Sequence, residues 1–201
     1  MIRSFHPTKR LLVETVSALL DQKSATQISA EEVLEISGIS RGSMYHHFID
    51  LDDILETTQV YRYSKWVDGS IKFMYDFVIT SRTKDELRKS LRKLTEITQS
   101  DDRKSARAQR AHALALCASN ERMAKKLAPE IQRLTDAITD VTEEVKNKGL
   151  FRSDVDAHSL STFIQAYTLG KIVNDFNPEP VAEEQWVDFI MSIVEKTFID
   201  E

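Results

Sequence analysis

Apolar residues recur along this chain at steps of three and four, the period of helices packed on one face. Leu12, Val16, Leu19 and Leu20 mark a first helix, with Thr8 as its expected N-cap. Three short, strongly punctuated units follow. Ser29 and Glu32 have the spacing of a capping box, and Ile28 and Val33 that of the accompanying hydrophobic staple. Gly38 suits the left-handed residue that closes this helix. Ser40 caps the next helix, with Ile39 and Met44 as staple, and Asp50 caps a third, with Ile49 and Ile54 as staple.

Longer helices are predicted beyond. One runs from Leu51 to about Ile79 and is rich in aromatics. Thr80-Ser81-Arg82 breaks it, and Thr83 and Glu86 form another capping box ahead of Leu87, Leu91 and Leu94. The alanine-rich stretch from Ala106 to Ala118 predicts a close helix–helix approach. Leu127, Ile131, Leu134, Ile138, Val141 and Val145 alternate steps of four and three, an apolar seam, with Pro129 expected near the helix start. Gly149 ends that helix. Asp156 caps another, with Val155 and Leu160 as staple. Asn177-Pro178-Glu179-Pro180 is a break, and a last helix carries Trp186, Phe189, Ile190, Ile193, Val194, Thr197 and Phe198. No period-2 strand is evident. The pattern predicts an all-α chain of about nine helices.

Composition narrows the class. Hydrophobic residues at 41% and charged residues at 29% describe a globular chain. No run reaches the length of a membrane span, and the N-terminus lacks the apolar segment of a signal peptide. The lone Cys117 excludes an internal disulfide and fits a reducing cytoplasm, with a small buried role expected of it. The net charge is −5, and residues 1–56 hold five basic against nine acidic side chains. Any nucleic-acid contact must therefore rest on local geometry rather than bulk attraction.

The punctuated region carries the chemistry. A helix-turn-helix lays its second helix in the DNA major groove, N-terminal residues foremost. Here that helix is about Ser40 to Phe48. Gly42 and Ser43 are small enough for close approach, and Arg41 suits a phosphate or a guanine edge. Ser29 and Ser40, at helix starts, suit phosphates. Tyr45 and His46 lie one turn further on, within reach of backbone or bases, with core packing the alternative for Tyr45. Met44 and Phe48 are expected in the core. His46 and His47 are adjacent and diverge, and His6, His112 and His158 show no ligand spacing, so no metal site is expected. No phosphate loop or nucleophile elbow is present, so neither catalytic residues nor a cofactor is expected.

The stretch from Ile28 to Phe48, above all Gly-Ile-Ser-Arg-Gly-Ser-Met-Tyr-His-His-Phe from Gly38, resembles the TetR family of transcriptional regulators. The resemblance covers about fifty residues. It implies a three-helix DNA-binding domain at 1–50 joined to a helical effector-binding and dimerisation bundle at 51–201. It also implies a homodimer on a double-stranded inverted-repeat operator, released by a small-molecule effector. The expected effector pocket is Trp66, Phe73, Phe77, Arg107, Arg110 and Tyr167. The expected dimer interface is Phe163, Tyr167, Trp186, Phe189, Ile190, Ile193 and Thr197. Two departures stand out. Leu51 occupies a position where the family carries a phosphate-contacting lysine, and polar Gln22-Lys23-Ser24-Ala25-Thr26 replaces a glycine-aromatic turn. Both predict weak or strongly salt-sensitive binding. A helical protein-interaction module of the same fold, with DNA binding weakened or lost, is the competing reading. The interval 82–110 adds ten basic against five acidic residues, expected to form a solvated face or to meet an anionic effector at one or two positions.

Overall fold

The structure is a computed structural model and describes residues 5–199. Every regular element among them is helical: α1 (Pro7–Leu20), α2 (Ala30–Ser37), α3 (Arg41–His47), α4 (Leu51–Phe77), α5 (Lys84–Gln99), α6 (Lys104–Cys117), α7 (Glu121–Asn147), α8 (Ala157–Gly170), the four-residue α9 (Ile172–Asp175) and α10 (Glu183–Val194). Short 3-10 turns lie at Ala25–Gln27 and Asp101–Arg103, and a π-helical turn, Glu195–Ile199, prolongs α10.

Two compact units emerge, and they do not part at residue 50. The first is the chain up to Trp66 together with Ala113–Glu130; the second is Val67–His112 together with the chain from Ile131 onward. The division falls inside α4, α6 and α7 rather than in loops.

In the first unit, Leu12, Val13, Val16 and Leu19 of α1 meet Ile28, Val33, Met44, Phe48, Ile54 and Tyr61 in one apolar core. Each such side chain contributes roughly 1.5–3 kcal/mol by leaving water. Local caps set the helix directions. The Ser29 hydroxyl accepts from Glu32 N (3.2 Å) and that of Ser40 from Ser43 N (3.2 Å). Gly38 takes φ +68°, a left-handed turn that a side chain would strain. Three expectations are corrected. The cap of α1 is His6, not Thr8: Pro7 occupies the first helical position, and His6 Nδ1 accepts from Thr8 N (3.3 Å). The Glu32 carboxylate leaves its capping box to pair with Lys23 (2.5 Å). Ile49 is 75% exposed and staples nothing; its N–H donates to Asp53 Oδ2 (3.0 Å) while Asp53 N donates to Asp50 Oδ1 (2.6 Å). That corner is closed by hydrogen bonds instead of apolar contact.

In the second unit α10 packs along α5, burying Leu87, Val187, Ile190 and Met191. Arg152 N donates to Phe198 O (2.9 Å) and Lys84 Nζ to Ile199 O (2.9 Å), tying down the end of the described chain. The seam of α7 is buried at Leu134, Ile138, Val141 and Val145. Gly149, at φ +71°, ends the helix. Pro129 is not near the start of α7: Asn120 Oδ1 accepts from Met123 N (2.9 Å), so the helix begins eight residues earlier than the proline. Pro129 is therefore interior and forfeits the bond to the Lys125 carbonyl, a substitution class that costs about 3 kcal/mol. Thr83 caps α5 through Glu86 N (3.1 Å), and the Glu86 carboxylate accepts from Arg82 N (2.8 Å), one residue outside the expected box. Asp156 caps α8 through Ser159 N (2.7 Å).

Candidate nucleic-acid interface

Helix α3 has two faces. Met44 is fully buried against α1, while Arg41, Gly42, Tyr45 and His46 are exposed at helix spacing on the opposite side. Ser29 and Ser40 are exposed at their helix starts, and Ser43 is half-buried. The open face thus combines a cation, an aromatic phenol, an imidazole and a glycine. A methyl group built on Gly42 meets nothing within 4 Å, so no internal packing requires glycine there. Ile49, beyond the extended Phe48 that ends α3, is exposed as well.

Arg41 does not stand alone. Its Nη2 donates to Glu31 Oε1 at 2.6 Å, joining the first turn of α3 to that of α2. The Glu31 carboxyl is held below its ordinary value by a backbone hydrogen bond and by Arg41. Three imidazoles meet beside the open face: His6 and His47 lie 4.8 Å apart and tilted, His46 and His47 5.0 Å apart and edge-on. Burial, then the neighbouring His6, His46 and Lys9, lower the His47 pKa.

Three of the nine acids of the N-terminal segment, Asp50, Asp53 and Glu56, are paired by residues far along the sequence. Arg122 pairs with Asp50 (3.2 Å) and Glu56 (2.7 Å). Lys126 pairs with Glu56 (2.9 Å) and with Asp53, and Asn120 Nδ2 donates to Glu56 (2.7 Å). Burial alone would raise the Glu56 carboxyl, but these hydrogen bonds outweigh it and lower the pKa. By sequence the whole first unit holds ten basic and eleven acidic side chains, close to balance. Leu51 is half-buried against the apolar core and offers no charge at the start of α4. The polar turn before α2 closes on itself, Ser24 N donating to Gln27 Oε1 (3.1 Å).

The residues expected to line an effector pocket have varied surroundings. Phe73 and Phe77 stack at 4.3 Å, and Trp66 meets Tyr63 edge-on at 5.3 Å. Arg107 is fully buried, with both Nε and Nη2 on Asp175 at 2.6 Å and Nη1 on the carbonyls of Thr98 (3.3 Å) and Ser100 (3.0 Å). Lys171, also buried, donates to the Gln99 carbonyl and to Asp101 (2.9 Å). These two cations cap the carbonyl end of α5, where the helix dipole favours positive charge. An anionic effector would have to displace Asp175 to reach Arg107. Arg110 is buried as well. Burial pushes the Tyr167 hydroxyl up to about 12, against a hydrogen bond with Thr95. Two surface clefts of the second unit lie elsewhere. One, of about 370 Å³, is lined by Arg152, Leu160, Phe163, Thr197 and Phe198 among others; the other, of about 460 Å³, by Glu96, Ile97, Ser100, Asp102 and Arg103.

Of the residues expected at a dimer interface, Phe163 (41%) and Phe189 (58%) are exposed, and so is Thr197. Trp186, Tyr167 and Ile193 are half-buried, and Trp186 Nε1 donates to Gln99 Oε1 (3.0 Å). Ile190, expected at the same interface, is only 4% exposed and packs within its own unit.

No family profile and no curated protein matches the sequence. Solved structures do match in three dimensions. A Mesorhizobium loti protein assigned to the TetR family of transcriptional regulators is 13% identical, with 96% of this chain and 97% of that one covered and a TM-score of 0.73. A TetR transcription regulator from Haloarcula marismortui is 12% identical, with 98% and 100% covered and a TM-score of 0.70. A transcriptional regulator from Saccharomonospora viridis, solved with choline, is 16% identical, with 96% and 98% covered and a TM-score of 0.69. With near-complete coverage and TM-scores of 0.73 and 0.70, the chain has the fold of the TetR-family transcriptional regulators.

Proposed function

We propose that the chain is a dimeric DNA-binding transcriptional regulator whose grip on an inverted-repeat operator is released by a small molecule. The observation that carries the reading is the open face of α3. A fully buried Met44 fixes the helix to its core, and the opposite side presents Arg41, Gly42, Tyr45 and His46 with the Ser40-capped helix start beside them. Arg41 has the donors for guanine or phosphate, Tyr45 and His46 reach the backbone, and Ser29 and Ser40 sit where free helix N–H groups attract phosphate. Two such helices reach successive major grooves only if a second copy places them about one DNA turn apart. Phe163, Phe189 and Thr197 supply exposed surface for that self-association. An effector bound in the second unit acts by preferring one of two dimer geometries, since a ligand with equal affinity for both shifts nothing.

Selection from a random duplex library at low salt tests the DNA claim. The expected product is a palindrome with half-site centres about 10 base pairs apart. Failure to enrich any palindrome overturns it. Half-buried Leu51 favours a second reading, a helical interaction module with weakened DNA binding. Salt titration separates the two: a regulator loses duplex affinity steeply as salt rises, whereas a module has no such slope to lose.

A further inference from the structure

The ion pair between Glu31 and Arg41 has a role that fold stability does not supply. Both side chains are largely exposed, 71% for Glu31 and 58% for Arg41, and pairs in water add little to folding. Yet the pair lies on the open face, between the first turns of the two helices of the helix-turn-helix. It uses one N–H of Nη2 and leaves the other, with Nε and Nη1, without a bonded partner among the described residues, so one two-donor edge of the guanidinium stays open. We infer that Glu31 is a specificity-determining residue that holds and neutralises Arg41, so that Arg41 reads a base edge rather than binding any phosphate. This rests on the DNA-binding reading above.

A solvated arginine near DNA gains most of its energy from phosphates, which carry no sequence information. A carboxylate 2.6 Å away cancels that charge and removes the incentive to move to the backbone. The same bond fixes one edge of the planar fork, so the other edge, which the second Nη2 N–H shares, approaches a guanine in a set orientation. Sequence discrimination is retained and non-specific affinity is given up.

The test compares wild type with E31Q, and with E35Q as a control. Glu35 is an exposed acid on the same helix, so E35Q removes an equal charge without touching Arg41. Binding to the selected operator and to a scrambled duplex is measured across a salt series. For E31Q the salt slope on scrambled duplex should steepen by about 0.9, the value for one more neutralised phosphate. Its operator-to-scrambled affinity ratio should fall by about fivefold or more, the lower end of what a bidentate arginine–guanine contact discriminates. E35Q should do neither. An E31Q slope and ratio equal to wild type, or equal to those of E35Q, overturn the inference while leaving the DNA reading standing. Wild type and E31Q both failing to retain any duplex at low salt overturn the two together. Retention by E31Q alone supports Glu31 as the restraint on Arg41.

Discussion

Replacing Glu56 by glutamine keeps the side chain's shape and removes its charge at the centre of the cluster that joins α4 to α7. Glu56 is buried and accepts from Asn120 (2.7 Å), Arg122 (2.7 Å) and Lys126 (2.9 Å). Two of these bonds come from cations, each worth about 1.5–3 kcal/mol against about 0.5–1.5 for a neutral acceptor, and the glutamine amide would turn a donor toward donors. Arg122 and Lys126 keep 36% and 25% of their side-chain surface, so water repairs part of the loss. The expected cost is about 2–3 kcal/mol, or a fall of about 5–10 °C in Tm at this chain length. Urea and thermal unfolding at matched protein concentration measure it, with D52N, an exposed acid of the same turn, expected within about 0.5 kcal/mol of wild type. The pH dependence adds a second check. The Glu56 pKa is lowered in the fold, so its contribution is present above the ordinary value of 4.5 and is lost as pH falls below it. The gap between wild type and E56Q should therefore close in acid. A gap under about 0.5 kcal/mol at neutral pH, or one that persists unchanged into acid, refutes the reasoning.

Gly42→Ala should raise stability by about 0.5–1 kcal/mol in thermal melts, because nothing crowds the site and glycine is a poor helix former, while weakening operator binding in gel shifts. Arg107→Ala should destabilise by about 3–5 kcal/mol, since it strands buried Asp175 and uncaps Thr98 and Ser100; a loss below 1 kcal/mol would refute the capping role. Phe189→Asp should convert a sedimenting dimer to monomer without lowering helicity by circular dichroism, and an unchanged dimer would remove Phe189 from the interface. The lowered His47 pKa means that its contribution to stability is complete above 6.5 and is lost as pH falls below it; His47→Gln should flatten that part of the slope in pH-dependent melts.

Much of the fold was legible because its signals are local. Ser29, Ser40, Thr83 and Asp156 each bond a backbone N–H three residues ahead, so the sequence spacing is itself the geometry. Gly38 and Gly149 stop helices through their own φ. The misreadings occurred where one local rule competed with another. Pro7 drew the first cap back to His6, and the Asp50–Asp53 exchange of hydrogen bonds made an apolar staple at Ile49 unnecessary. At the candidate interface the exposed face of α3 followed from the period, but the Glu31 partner of Arg41 did not, because ten residues and a turn separate them. Residues that absorb the N-terminal acidity were invisible for the same reason: Arg122 and Lys126 lie about seventy positions from their carboxylates, and nothing in a periodicity scan links them.

The discontinuity of the first unit has a consequence for how the protein is made. Asp50, Asp53 and Glu56 leave the ribosome well before Lys126, and at about 5–20 residues per second the delay is roughly 4–14 s. Throughout that interval α2 and α3 carry an acidic flank without its cations. The first unit reaches its final charge only when the chain returns with α7. A gene fragment cut after Trp66 would freeze the protein in that juvenile state.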